Sequence, residues 1–142
     1  MSDYSRILGI DYGDARIGVA ISDPTRTIAR PLEVIEPGKV DPVERIAEIA
    51  KEYDVKLVIL GLPKLMSGEE GEMAAKVREF MQKLKDRTDL EIRLVDERFT
   101  SKIAERELRK RKVKPSREKK KVDLYAASLL LQEYLDSHRD EG

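Results

Sequence analysis

Between Arg6 and Ser22 the chain reads RILGIDYGDARIGVAIS, two apolar runs separated by a short polar turn. This stretch constrains the fold more than any other. Arg6–Tyr12 reads as a buried strand and Arg16–Ser22 as a second, and the Gly-Asp-Ala turn between them predicts an antiparallel hairpin. An acid, Asp11, stands at the end of the first apolar run. An ionised carboxylate there is costly unless it is solvated, paired or bound to metal. Gly9, Gly13 and Gly18 around it leave room for a backbone or a ligand to come close. The plainer alternative is that Asp11 and Gly13 only shape the turn, with Asp14 and Arg16 on the surface.

Beyond the hairpin, Ile28–Ile35 predicts a third strand, and Pro31 pushes it toward a sheet edge. The period then changes. Asp41-Pro42-Val43-Glu44 has the form of a helix start, with an acidic N-cap, proline at the first position and glutamate three residues after the cap. Lys56–Leu62 (KLVILGL) is the most apolar strand and predicts an internal position covered on both faces. Glu70–Asp86 predicts a helix, Leu90–Glu97 a fifth strand, Thr100 a cap for a helix to about Arg111, and Ser116 a cap for a last helix to about Ser137. A meander followed by alternating helices and strands makes an α/β fold, a mixed sheet with helices on its faces. The 142 residues are one domain's worth, so residues 1–142 are expected to form a single domain.

Composition narrows the chemistry. Cysteine is absent and His138 is the only histidine, which excludes disulfides and thiolate nucleophiles and makes Ser-His-Asp chemistry or a multi-histidine metal site untenable. Carboxylates, hydroxyls, Lys, Arg and backbone remain. No apolar run approaches the ~20 residues of a membrane span, and MSDYSRIL lacks the layout of a signal peptide, so a cytoplasmic location is expected. The formal net charge is zero, yet Arg98–Lys121 holds twelve Lys or Arg against three Glu. Such a segment suits a polyanion, nucleic acid above all, or else a solvated helical face.

Three acids stand where chemistry could sit. Asp11 is the first. Asp96-Glu97 ends the fifth strand, where alternation puts Asp96 on the face of Leu90, Ile92 and Leu94 and Glu97 on the face of Arg93 and Val95, without choosing between them. Asp123 shares a helical stripe with Val122, Ala126, Ala127 and Leu130; it either pairs with Lys119, Lys120 or an arginine, or is delivered by that stripe beside the strand-end acids. Converging carboxylates without His or Cys prefer hard cations, Mg²⁺ or Mn²⁺. Two such ions can activate water and stabilise the leaving oxygen at a phosphodiester. The loop Lys64–Gly71, after Leu60-Gly61-Leu62-Pro63, joins a strand to a helix where α/β proteins often take substrate; Lys64 could touch phosphate there and the glycines could admit nucleic acid. The loop lacks the GxxxxGK[ST] spacing of a Walker A motif.

GIDYGDARIGVAISDP, VILGLPKLMSGEEG, VDERFTSKIAE and KKVDLYAASLLLQEYL, in this order, resemble the YqgF family over about Ile7–Leu135. The resemblance implies a ribonuclease-H-like fold with a five-stranded sheet of order 3-2-1-4-5. It also implies a divalent metal (Mg²⁺ or Mn²⁺) held by Asp11, Glu97 and Asp123, in catalytic roles, with Asp96 in reserve for Glu97. The substrate it implies is RNA, the 5′ end of a 16S rRNA precursor, or branched DNA, since the family is also named for Holliday junction resolution. The loop Lys64-Leu65-Met66-Ser67-Gly68 and the pair Leu124-Tyr125 depart from the family's usual residues, the loop bearing on substrate contacts. Arg16, Lys64, Arg98, Lys102, Arg109, Lys110, Lys112, Lys119 and Lys120 are the expected phosphate-binding cations.

That order sets a geometric demand, because the fifth strand lies two strands, about 10 Å, from the first. Glu97 must lean across to reach Asp11. Junction resolution would require a homodimer, whereas RNA cleavage is compatible with a monomer. Two further readings are an RNA-binding ribosome-assembly factor without catalysis, and a nucleotide-binding phosphotransferase, because GIDYG also resembles the first phosphate loop of actin-like ATPases.

Overall fold

The computed structural model describes residues 5–97 and 119–138. The expected helix from Thr100, the KVKPS break and the Ser116 cap lie outside the described residues, as do Arg98, Lys102, Arg109, Lys110 and Lys112.

The hairpin forms as expected. Strand β1 (Ile7–Asp11) pairs antiparallel with β2 (Ile17–Ser22), from Leu8 opposite Ile21 to Asp11 opposite Gly18. Strand β3 (Ala29–Ile35) pairs antiparallel with β2 at one sheet edge. Ala20 faces Pro31 and Val19 faces Glu33, so Leu32 is an extra residue in the ladder. A proline with no N–H to donate is accommodated at such an irregular edge.

Helix α1 (Pro42–Glu52) begins where Asp41 accepts from the N–H groups of Val43 and Glu44, with Pro42 filling the first position. Its Arg45 forks onto Glu33 of β3 at 2.8 and 2.6 Å. Strand β4 (Leu57–Leu62) is buried at all six positions, between β1 and β5 (Glu91–Asp96), and runs parallel to both. Helix α2 (Glu72–Arg87) ends where the Thr88 hydroxyl donates to the Leu84 carbonyl. Helix α3 (Lys119–Ser137) closes the described chain. The sheet order is β3-β2-β1-β4-β5.

Alternation along the strands divides the core in two. Leu8, Ile10, Val19, Ile21, Val58 and Leu60 face α1 and α2, where they meet Ile46, Ile49, Val77, Phe80 and Leu84. Ile7, Ala20, Leu57 and Ile59 face α3, where they meet Ala127, Leu130, Leu131, Tyr134 and Leu135. Gly9 and Gly18 belong to this second face. A Cβ on Gly9 would lie 2.7 Å from the Leu131 Cβ, and one on Gly18 would lie 2.3 Å from the Asp123 carbonyl oxygen. Their missing side chains are what allow α3 to settle against the backbone of the hairpin. The room they leave is taken by this helix. Just past the end of α3, His138 stacks on Tyr134 with ring centroids 4.0 Å apart. No helix among the described residues is long and apolar enough to cross a membrane.

Candidate metal centre

The parallel pairing of β1, β4 and β5 brings their C-terminal ends to one edge of the sheet. Ile10 lies opposite Leu60, and Gly61 lies opposite Val95, so Asp11 and Gly61 follow one step along their strands. The Glu97 N–H donates to the Leu62 carbonyl at 3.2 Å, which extends the ladder one residue past β5. Pleating then puts Asp11, Gly61, Val95 and Glu97 on the face covered by α3. Asp96 points to the other side and is exposed. Alternation alone left the two acids open; tertiary pairing puts Glu97 on the face of Asp11.

The two-strand gap is crossed through Gly61. A Cβ built there would lie 2.4 Å from Glu97 Oε2, 2.5 Å from Cδ and 2.8 Å from Oε1. The Glu97 carboxyl therefore lies directly over the Gly61 backbone and reaches Asp11 on β1, with which it shares a hydrogen bond. Burial drives Glu97 far above the usual carboxylate range, and the charge of Asp11 adds to it. Burial also raises Asp11, the hydrogen bond from Glu97 opposes that rise, and the charge of Asp123 reinforces it. Two carboxyls in contact cannot both ionise cheaply in a site withdrawn from water. The pair as a unit therefore retains a proton above the usual carboxylate range.

The arrangement leaves an acceptor unused. Glu97 is 9% exposed, and its Oε2 is buried without a hydrogen-bond partner. An orphaned buried oxygen beside a second carboxyl is unfavourable for folding alone. A hard cation that replaces the shared proton would satisfy it, so the donor set fits Mg²⁺ or Mn²⁺.

Asp123 stands nearby in the first turns of α3, close enough for its charge to act on Asp11. Its Oδ2 accepts from Arg16 Nε at 2.7 Å, with both side chains partly buried. The expected pairing with an arginine is present, through Arg16, and the helix stripe faces the sheet with Asp123 near the strand-end acids but not gathered with them. Among the described residues no three acidic, histidine or cysteine side chains are gathered tightly enough to enclose an ion. Asp11 and Glu97 are brought together; Asp123 is adjacent and turned to Arg16.

Of the other expected cations, Lys64 is half-buried at the start of the β4–α2 loop, where it bridges to Glu70. Lys120 forms an ion pair with Glu36 at 2.7 Å. Lys119 opens α3, and its side chain lies outside the described residues. Sequence reasoning treated Gly61 as room for nucleic acid and missed its role under Glu97. A signal was present, since Gly61 is two residues from Ile59 and four from Leu57 and so shares their face.

A family model described as "RuvX: Holliday junction resolvase" matches residues 5–137. A protein of Fusobacterium nucleatum named "Putative pre-16S rRNA nuclease" is 51% identical over 133 residues, covering 92% of this chain and 96% of its own. A Roseiflexus protein of the same name is 40% identical over 139 residues, covering 97% and 99%. Among solved structures, Thermus thermophilus RuvC bound to a Holliday junction superposes with a TM-score of 0.58 at 17% identity, covering 97% of this chain and 96% of that one. The yeast mitochondrial Holliday junction resolvase superposes with a TM-score of 0.54 at 12% identity, covering 99% and 84%. At such identities these two likenesses speak to the fold.

Proposed function

The chain belongs to the RuvX/YqgF family and has its ribonuclease-H-like fold, and from that premise we propose that it is a metal-dependent nuclease that hydrolyses phosphodiester bonds at the 5′ end of a 16S rRNA precursor in the cytoplasm. The observation that carries the reading is the Asp11–Glu97 pair: two acids from strands two apart, in contact, with one buried oxygen unsatisfied. Fold stability alone does not account for such an arrangement, whereas binding a hard cation does.

Asp11 and Glu97 are the two carboxylates that would hold Mg²⁺ or Mn²⁺, the ion taking the place of the proton the pair retains. Asp123, adjacent on α3 and paired with Arg16, would be the third carboxylate of the set. A bound divalent ion supplies activation of a water and stabilisation of the leaving oxygen at phosphorus. Arg16 orients Asp123 and lies at the hairpin end, where it can also meet a phosphate. Lys64 borders the same edge from the β4–α2 loop. The basic stretch Lys102–Lys121 supplies the sequence-independent grip on the nucleic-acid backbone. Relatives at 51% and 40% identity carrying the rRNA nuclease name favour RNA as the substrate.

A second reading, cleavage of four-way DNA, is favoured by the description of the matching family. It requires two sites facing two strands and therefore a dimer. The deciding experiment is cleavage of a labelled precursor 5′ leader in Mn²⁺, beside a four-way DNA junction, with an Asp11→Asn control. RNA cut by the parent and at least about 100-fold more slowly by the variant supports the assignment, since losing a ligand should cost no less than losing its supporting shell. A cut junction with intact RNA replaces it with the resolvase reading. RNA bound and never cut leaves a binding factor.

A further inference from the structure

We infer that Gly61 is a positioning residue of the metal site, holding open the gap through which Glu97 crosses β4 to reach Asp11. The inference rests on the metal-site reading above and extends it to a residue with no donor atom of its own. Three glycines lie on the α3 face of the sheet, and what each one accommodates differs. The space at Gly18 is filled by the Asp123 carbonyl oxygen and carbon, and that at Gly9 by Leu131 and the Ala127 carbonyl. Those neighbours are helix backbone or packed core. The atoms around Gly61 all belong to the end of one side chain, the Glu97 carboxyl, at 2.4–2.8 Å.

The consequence is physical. Real Cβ atoms do not sit so close to a carboxylate, so a methyl group at residue 61 must displace it. Glu97 follows the last residue of an edge strand, with its backbone pinned by one hydrogen bond to the Leu62 carbonyl. The atoms in the way are the far end of a flexible side chain, which can give where strand backbone could not. The sheet therefore tolerates the methyl, and the carboxyl pair does not. Alanine at residue 61 is expected to separate Glu97 from Asp11 while the fold persists. A glycine inside a fully buried strand, which otherwise weakens it, is explained by this need.

The test is a double-mutant cycle on the full chain, with Mn²⁺ binding read by the loss of the free-ion electron paramagnetic resonance signal and thermal unfolding followed in chelator. The proteins are the parent, Gly61→Ala, Glu97→Ala, the double variant Gly61→Ala/Glu97→Ala, and Asp11→Asn. Gly61→Ala should weaken Mn²⁺ binding at least about tenfold, as loss of a supporting group does, with an unfolding temperature close to the parent's. With Glu97 already truncated, alanine at residue 61 should change neither Mn²⁺ affinity nor unfolding temperature further. Parent-like Mn²⁺ binding by Gly61→Ala, with binding lost in Glu97→Ala and Asp11→Asn, overturns the role of Gly61 and leaves the metal site standing. A loss from Gly61→Ala that recurs undiminished without the Glu97 carboxyl, or failure of both Gly61→Ala proteins to fold, assigns Gly61 to the sheet and overturns the inference. Mn²⁺ binding that none of the variants alters removes the metal-site reading, and this inference with it.

Discussion

The two faces of this sheet are paved differently. Toward α1 and α2 the strands present Leu8, Ile10, Val19, Ile21, Val58 and Leu60, branched side chains that fill a thick apolar layer. Toward α3 they present Gly9, Gly18, Ala20 and Gly61 among a few larger residues, and the helix comes down onto the backbone. The first face is built for burial. The second gives up side-chain volume, and at one end the freed space holds carboxylates instead of carbon. One sheet thus separates the residues that stabilise the fold from those of the candidate site, and strand alternation keeps the two sets apart.

The comparison can be broken most forcefully on the thick face. Leu60→Ala leaves a cavity between β4 and the α1–α2 layer, for an expected loss of about 2–5 kcal/mol in urea unfolding. The Mn²⁺ affinity of the folded fraction should not change. On the thin face, Gly18→Ala sets a methyl against the Asp123 backbone, which cannot give way as a side chain can, and overpacking of that kind costs about 1–3 kcal/mol. Because α3 must shift, this variant should lose Mn²⁺ affinity as well, and the two variants together show whether stability and site separate by face.

A pH series sharpens the same contrast without mutating the core. Asp11 is raised from 3.8 to about 6 and Glu97 is raised further, so over this range the folded chain holds protons that the unfolded chain has released. The stabilisation that this pair contributes to the metal-free protein is therefore fully present below about pH 4. It is lost as pH rises through 6 and beyond, by at most about 1.4 kcal/mol per pH unit for each proton retained. Asp23, Glu36 and Glu70, held below the usual carboxylate range, act in the opposite direction in acid. Glu97→Gln should remove the part of the slope above pH 6, measured by urea unfolding in chelator. The smallest effect is expected at the surface of the thick side. Arg87→Ala breaks the exposed, solvent-screened ion pair that joins α2 to Glu44 of α1, should barely move the urea midpoint and should leave Mn²⁺ binding untouched.

Much of the fold was legible because its signals are local. The GDA turn between two apolar runs reads as a hairpin, Asp41-Pro42 reads as a helix start, and KLVILGL reads as a strand covered on both sides. Each depends on neighbours a few residues apart. The strand order came from the resemblance of four motif blocks, since no local pattern dictates which strand lies beside which. The site was legible only as a set of candidates. Asp11, the pair Asp96-Glu97 and Asp123 stood out as acids on apolar elements, the resemblance alone favouring Glu97 within the pair, whereas Gly61 looked like part of a loop entrance, because the residue that fills its space lies on another strand.

The sequence by itself determined which residues alternate to which face, where helices begin, and that any chemistry had to do without thiols and with a single histidine. Only tertiary structure decided that Glu97 rather than Asp96 meets Asp11, that it does so across Gly61, and that Arg16 holds Asp123 from 107 positions away. The reason is the range over which each is set. Pleat, helical period and capping are short-range properties of the chain, while lateral order and register are settled when distant segments pack. A candidate site drawn from two strands and a helix can form only once they have.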